Sequence, residues 1–112
     1  MVSSELMAEI EHWYEVVRYQ SIDPHKYSGE SFDVVCEIIT ADTFVAGIAS
    51  KLLDGSTIDP IERQIIGDPL ITDQHWWKRG SGQKFDFHAF PEICQVVQSL
   101  EKLRSLCKDA LG

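Results

Sequence analysis

The chain has 112 residues, of which 44% are hydrophobic and 25% charged, and its formal net charge at neutral pH is −8. This length and composition predict one globular domain, residues 1–112, that folds without a metal or a cross-link. A negative charge of this size repels phosphate backbones and anionic bilayers, so it disfavours nucleic acids and membranes as partners.

The first predicted element is an amphipathic helix over residues 4–20. Ser3 or Ser4 is available as its N-cap, and acidic residues follow in the first turn. The helix is expected to stop before Asp23-Pro24, because a residue that precedes proline is displaced from the helical region. One face of this helix is apolar and carries Leu6, Ile10, Trp13, Tyr14 and Val17.

The first half of the segment 31–54 supports two interpretations. A helical face would consist of Phe32, Val35, Cys36 and Ile39. A strand would place Phe32, Val34, Cys36 and Ile38 on one side. The β-branched residues favour the strand, which would lie around 32–39 and would make the fold α+β.

The second half of this segment, 42–53, is predicted to be a helix that ends before Gly55. Its apolar face carries Val45, Ile48, Ala49 and Leu52. The helical faces of the two halves point in directions about 120° apart, which predicts a break near residues 40–43. Two separate helices are the preferred interpretation.

Three further helices follow in the chain. Asp59-Pro60-Ile61-Glu62 is typical of a helix start, with a capping aspartate, proline in the first position and a glutamate that reaches back. This short helix is expected to end at Gly67, and another short helix is predicted over 73–79. The last helix, from Pro91 to about Lys108, has a continuous apolar face. Six segments thus have a helical pattern, and the predicted fold is an all-α domain of four to five helices.

The segment 74–84 differs in charge from the rest of the chain. Residues 1–73 hold 4 basic and 14 acidic side chains, whereas this segment holds 3 basic and no acidic ones. An exposed tryptophan beside arginine and lysine is suited to stacking on a partner's side chain or on a ligand. The candidate binding residues are His75, Trp76, Trp77, Lys78, Arg79 and Lys84.

These features predict a small, acidic interaction or regulatory protein without catalysis, whose protein partner contacts the Trp-Lys-Arg segment. The alternative is a protein that binds a small anionic ligand, or a small enzyme, with a pocket lined by residues 75–90. No cofactor is predicted. A metal site is not predicted either, because the Glu-x-x-His spacing at Glu9 and His12 occurs once and off the apolar face.

Two features of the helices bear on self-association. In the last helix Arg104 lies inside the apolar stripe and Leu106 outside it, which suggests packing on two sides and an interface that pairs Arg104 with an acid across a homodimer. The central helix also has a smooth side, composed of Ala46, Gly47, Ala49 and Ser50.

The cysteines and the first residues of the chain predict a cytoplasmic location. Cys36, Cys94 and Cys107 form an odd set without C-x-x-C spacing, whereas secreted disulfide frameworks use even sets. The N-terminal residues are acidic and polar, unlike a signal peptide. Charged residues interrupt the most apolar stretch, 34–53, so no membrane span is predicted.

Overall fold

The computed structural model describes residues 2–68 and 89–112, and every regular element in these two ranges is a helix. These described ranges are all-α, as predicted, and the strand proposed around 32–39 is wrong, because these residues are helical. The elements are α1 (Ser4–Tyr19), a single 3₁₀ turn η1 (Pro24–Lys26), α2 (Gly29–Asp54), α3 (Pro60–Ile66) and α4 (Pro91–Leu111).

Three long helices enclose the core. α1, α2 and α4 each pack against the other two, while α3 packs against α4 and η1 against the start of α2. Apart from Cys107, the largest fully buried side chains in the described ranges are aliphatic, and they include Ile10 of α1, Ile38 and Ile48 of α2, and Leu100 and Leu103 of α4. Removal of this apolar surface from water is the main force that holds the helices together.

The ends of α1 and α3 follow their capping residues. The side chain of Ser3 accepts a hydrogen bond of 3.1 Å from the amide of Leu6. At α3, Asp59 accepts from the amide of Glu62 and the Glu62 carboxylate accepts from the amide of Asp59, which is the predicted capping box. The last residue of α3 is Ile66, and Gly67 is its C-cap, where the sequence predicts the helix to end.

The predicted break near residues 40–43 is wrong, because α2 is one continuous helix of 26 residues. Its first half turns Val34, Val35 and Ile38 inward, and these positions lie in line with Val45 and Ile48 of the second half. The 120° offset therefore disappears. Thr40 and Thr43 satisfy their hydroxyls on the carbonyls of Cys36 and Ile39, four residues earlier, so neither disturbs the helix.

Gly47 lies within α2 and faces open space, since a Cβ built at this position meets no atom within 4 Å. Gly47→Ala is therefore expected to stabilise the fold by about 1 kcal/mol, because glycine is the poorer helix former. Urea unfolding measures the change. Gly55→Ala is the matched control and should destabilise, because Gly55 has φ +78°. A loss of stability in Gly47→Ala would mean that its surroundings are occupied.

Candidate functional site

The binding residues predicted from the sequence lie outside the described residues. They are His75, Trp76, Trp77, Lys78, Arg79 and Lys84, together with the helix predicted over 73–79. Their role in binding stays a prediction. Residues 69–88 are flanked by the C-terminal end of α3 and the N-terminal end of α4. Each of these helix ends makes side-chain contacts with another part of the chain.

The end at α3 is held by a buried arginine. The Arg104 guanidinium donates to the carbonyl of Ile66, the last residue of α3, over 2.6 Å. It also forms a two-pronged ion pair with Glu101, with N···O distances of 2.7 and 2.9 Å. The two parallel hydrogen bonds match the planar carboxylate, and together with the Ile66 carbonyl they compensate the buried positive charge of Arg104. Arg104 thereby joins α4 to the end of α3.

The two predicted interface residues, Arg104 and Leu106, are both only 5% exposed. They are buried by this chain's own helices, because α4 contacts α1, α2 and α3 on different sides. Packing of α4 on more than one side is what the sequence pattern indicated. The partners of the Arg104 guanidinium among the described residues are Glu101 and Ile66. A role of Arg104 and Leu106 between two copies of the chain stays a prediction.

The end at α4 is held by a tyrosine. Tyr27 lies just after η1, and its hydroxyl donates to the Glu92 carboxylate over 2.6 Å. The rings of Tyr27 and Phe90 pack in an edge-to-face arrangement. The hydrogen bond to Glu92, reinforced by burial and by the charge of Glu92, raises the pKa of Tyr27 to about 12. This contact joins the first turn of α4 to the region before α2.

The cysteines differ in their surroundings. Burial raises the pKa of the Cys107 thiol to about 12, an effect that the nearby Arg104 charge partly opposes. At pH 8 an alkylating reagent is therefore expected to modify the half-buried Cys36 and Cys94, whereas Cys107 reacts only after unfolding. Peptide mass spectrometry of native and urea-unfolded protein measures this. Equal modification of Cys107 in the native protein would contradict the packing of α4.

A strip along α2 outside the packed core carries no charged residue from Phe32 to Ser50. We call it the outer face of α2; its residues do not belong to the packed core, and they are Phe32, Cys36, Ile39, Thr43, Ala46, Gly47 and Ser50. Ile39, Thr43 and Gly47 are exposed and the others half-buried. At 1.5 Å per residue, the stretch from Phe32 to Ser50 is about 27 Å long.

Acidic residues border the outer face of α2. Asp33 lies along one edge, Asp42 along the other, and Asp54 at the C-terminal end. Asp42 is half-buried, and burial raises the pKa of its carboxyl; no ion pair reaches it from the described ranges. The one basic residue of α2, Lys51, pairs with Glu62 of α3 at 2.8 Å. Among the described residues, the charges that border this face are therefore predominantly acidic.

Most residues of this face occur in the sequence as parts of two separate patterns. The predicted helical face of Phe32, Val35, Cys36 and Ile39 contains three of its residues, and the predicted smooth side of Ala46, Gly47, Ala49 and Ser50 contains three more. The remaining two residues, Val35 and Ala49, are fully buried in the core. The signal that connects the two patterns is the spacing of four and three residues in alternation, from Phe32 to Ser50. This spacing defines a single face only because α2 is one continuous helix.

Two further surface features lie elsewhere in the described ranges. On α3, Ile61 and Ile65 are 69% and 47% exposed and lie one helical turn apart. Between the start of α1 and the end of α4 there is an open depression of about 500 Å³, lined by Val2, Ser3, Leu6 and residues 109–112. Asp109 gives this depression a negative charge, so it does not resemble the anion pocket predicted from the sequence.

The described ranges contain neither the side-chain cluster of a metal site nor a helix that could span a membrane. No cluster of three histidine, cysteine, aspartate or glutamate side chains in residues 2–68 and 89–112 is arranged to hold a metal ion. Glu9 and His12, the pair with metal-ligand spacing, are both exposed on α1. None of the helices described has the length and apolar character needed to cross a bilayer.

Compared with protein-family models, with curated proteins and with solved structures, the chain matches none of them.

Proposed function

We propose that this protein is a small, acidic interaction protein of the cytoplasm, which binds a protein partner and has no catalytic activity. The observation that supports this most is the outer face of α2. It presents an uncharged surface about 27 Å long, which includes exposed Ile39 and contributes nothing to the core. An elongated surface of this kind on a helix is suited to contact with another helix.

The Trp-Lys-Arg segment is the second contact in this proposal. Its support is the charge contrast in the sequence, since 74–84 is basic in an otherwise acidic chain. Tryptophan and arginine are also the residues that contribute most often to binding energy at interfaces. A partner that used both contacts would bind an uncharged helix face bordered by acidic residues and a basic segment of the same molecule.

The proposal is tested by cross-linking in cells followed by mass spectrometry. Wild type is compared with Gly47→Leu, which adds bulk to the outer face of α2, and with a triple variant, Trp77→Ala, Lys78→Ala and Arg79→Ala. Ala8→Leu, at an exposed position of α1, is the control for added bulk. Proteins cross-linked to wild type and to Ala8→Leu should be lost in Gly47→Leu, the triple variant, or both. An unchanged set in all variants would contradict the proposal.

Two other outcomes bear on the homodimer and on the alternative function predicted from the sequence. Sedimentation at the mass of two chains would identify a second copy as the partner, as the homodimer prediction states. Saturable quenching of tryptophan fluorescence by phosphorylated metabolites or nucleotides would favour the anionic-ligand function instead.

A further inference from the structure

We propose that the outer face of α2 binds a basic amphipathic helix of the partner protein. This inference rests on the proposed function and adds to it the chemistry of the partner: a helix with a row of large apolar side chains, flanked by lysine or arginine. Three properties of the face lead to it, namely its spacing, its shape and its charge.

The spacing is that of a helix-packing seam. Phe32, Cys36, Ile39, Thr43, Ala46 and Ser50 follow one another at intervals of four, three, four, three and four residues. This repeat keeps side chains on one line along a helix that packs nearly parallel to another helix. The seam covers two and a half heptads, which is enough for a partner helix of about 20 residues.

The shape changes along the seam. Its first half has the larger side chains, Phe32, Cys36 and Ile39, whereas its second half has Thr43 and smaller residues. Gly47 borders this second half, and open space lies beyond it. Small side chains allow the axis of a second helix to approach closely. Large apolar side chains from the partner would therefore fit over the second half of the seam.

The charge selects a cationic partner. Asp33 and Asp42 lie on opposite edges of the seam, in the positions where neighbouring helices exchange ion pairs. Asp42 is half-buried, and the described ranges hold no cation that pairs with it. A lysine or arginine beside it would compensate its charge. A second copy of this chain would instead bring the same acids to the seam from both sides, at a net charge of −8 per copy.

A synthetic peptide tests the pairing directly. The probe is a three-heptad helical peptide with leucine and alanine on one face and flanking lysines, and its counterpart carries glutamate in place of every lysine. In fluorescence anisotropy the lysine peptide is expected to bind with micromolar affinity and to weaken several-fold as salt is raised. The glutamate peptide is expected to bind at least ten-fold more weakly.

Variants of the protein locate the binding. Gly47→Leu should weaken the lysine peptide at least ten-fold, although leucine is the better helix former and keeps α2 folded. Asp33→Asn with Asp42→Asn should weaken it several-fold. The control for lost charge is Glu9→Gln with Glu11→Gln on the exposed side of α1, and it should leave the affinity within two-fold.

Cysteine reactivity gives a second readout. Cys36 is part of the outer face of α2, whereas Cys94 lies on α4, and both are half-buried. Saturating lysine peptide should slow alkylation of Cys36 several-fold and leave the rate at Cys94 unchanged. Equal protection of both residues would place the peptide elsewhere.

Three results would overturn the inference. They are equal or absent binding of the two peptides, unchanged affinity in Gly47→Leu, or a dimer of the wild type that Gly47→Leu converts to monomer. The last result would assign the face to a second copy. The proposed function is tested separately by the cellular cross-links. If Gly47→Leu lost those partners but the protein showed no preference for the lysine peptide, the proposed function would be retained and the basic helix rejected.

Discussion

Ile38→Ala is expected to destabilise the fold by about 3 kcal/mol, whereas Ile39→Ala should cost less than about 1 kcal/mol. The two isoleucines are neighbours on α2, but Ile38 is 1% exposed and Ile39 37% exposed. Truncation of Ile38 removes buried apolar surface and leaves a cavity between the packed helices, whereas truncation of Ile39 removes surface that water already reaches. The free energy of unfolding, measured in urea at neutral pH, gives both values.

This pair of variants is internally controlled, because the substitution, the helix and the change in intrinsic helix propensity are the same. A larger loss at Ile39 than at Ile38 would show that α2 is rotated and that Phe32, Cys36 and Ile39 face the core. The outer face of α2 would then not exist, and the basic-helix proposal would fail with it. Similar losses at both positions would indicate that both sides of α2 are covered.

Of the features of the fold, the helix ends were predicted most accurately from the sequence. Asp59, Pro60 and Glu62 satisfy the free amides of the first turn by local contacts, so their pattern has the same meaning in any fold. The face of α1 was also predictable, because its apolar residues lie on one side and charged residues on the other. In such segments the local pattern contains nearly all the information that tertiary packing uses.

The orientation of α2 was not predictable in the same way. Its first half has two apolar rows, Val34 with Ile38 and Phe32 with Ile39, and composition alone does not determine which of them faces the core. The choice depends on the second half, where the apolar row is clear. Continuity of the helix then brings Val34 and Ile38 into line with Val45.

The candidate sites differ in how much of each could be predicted from the sequence. The charge contrast of the segment 74–84 is a property of the sequence itself. The outer face of α2 needed the structure, because it depends on which side of the helix is buried. Arg104 was recognised as unusual within an apolar stripe, but its contact with Ile66 joins residues 38 positions apart and arises only from the packing of α3 on α4.

Arg104→Ala is expected to destabilise the fold by about 3 kcal/mol. The change removes the ion pair to Glu101, leaves the carbonyl of Ile66 without its donor and opens a cavity where the arginine stem was packed. Urea unfolding measures the loss. Lys102→Ala, at an exposed position of the same helix, is the control and should cost less than about 0.5 kcal/mol.

Arg104→Met separates the charge from the packing of the stem. Methionine fills much of the same volume, and an apolar replacement of a buried ion is often well tolerated, so it should cost about 1 kcal/mol less than alanine. In both variants the carbonyl of Ile66 loses the guanidinium, so amide exchange should quicken in α3 relative to α1. Unchanged exchange in α3, with global stability lowered as expected, would show that Arg104 supports the core of α4 without holding the end of α3.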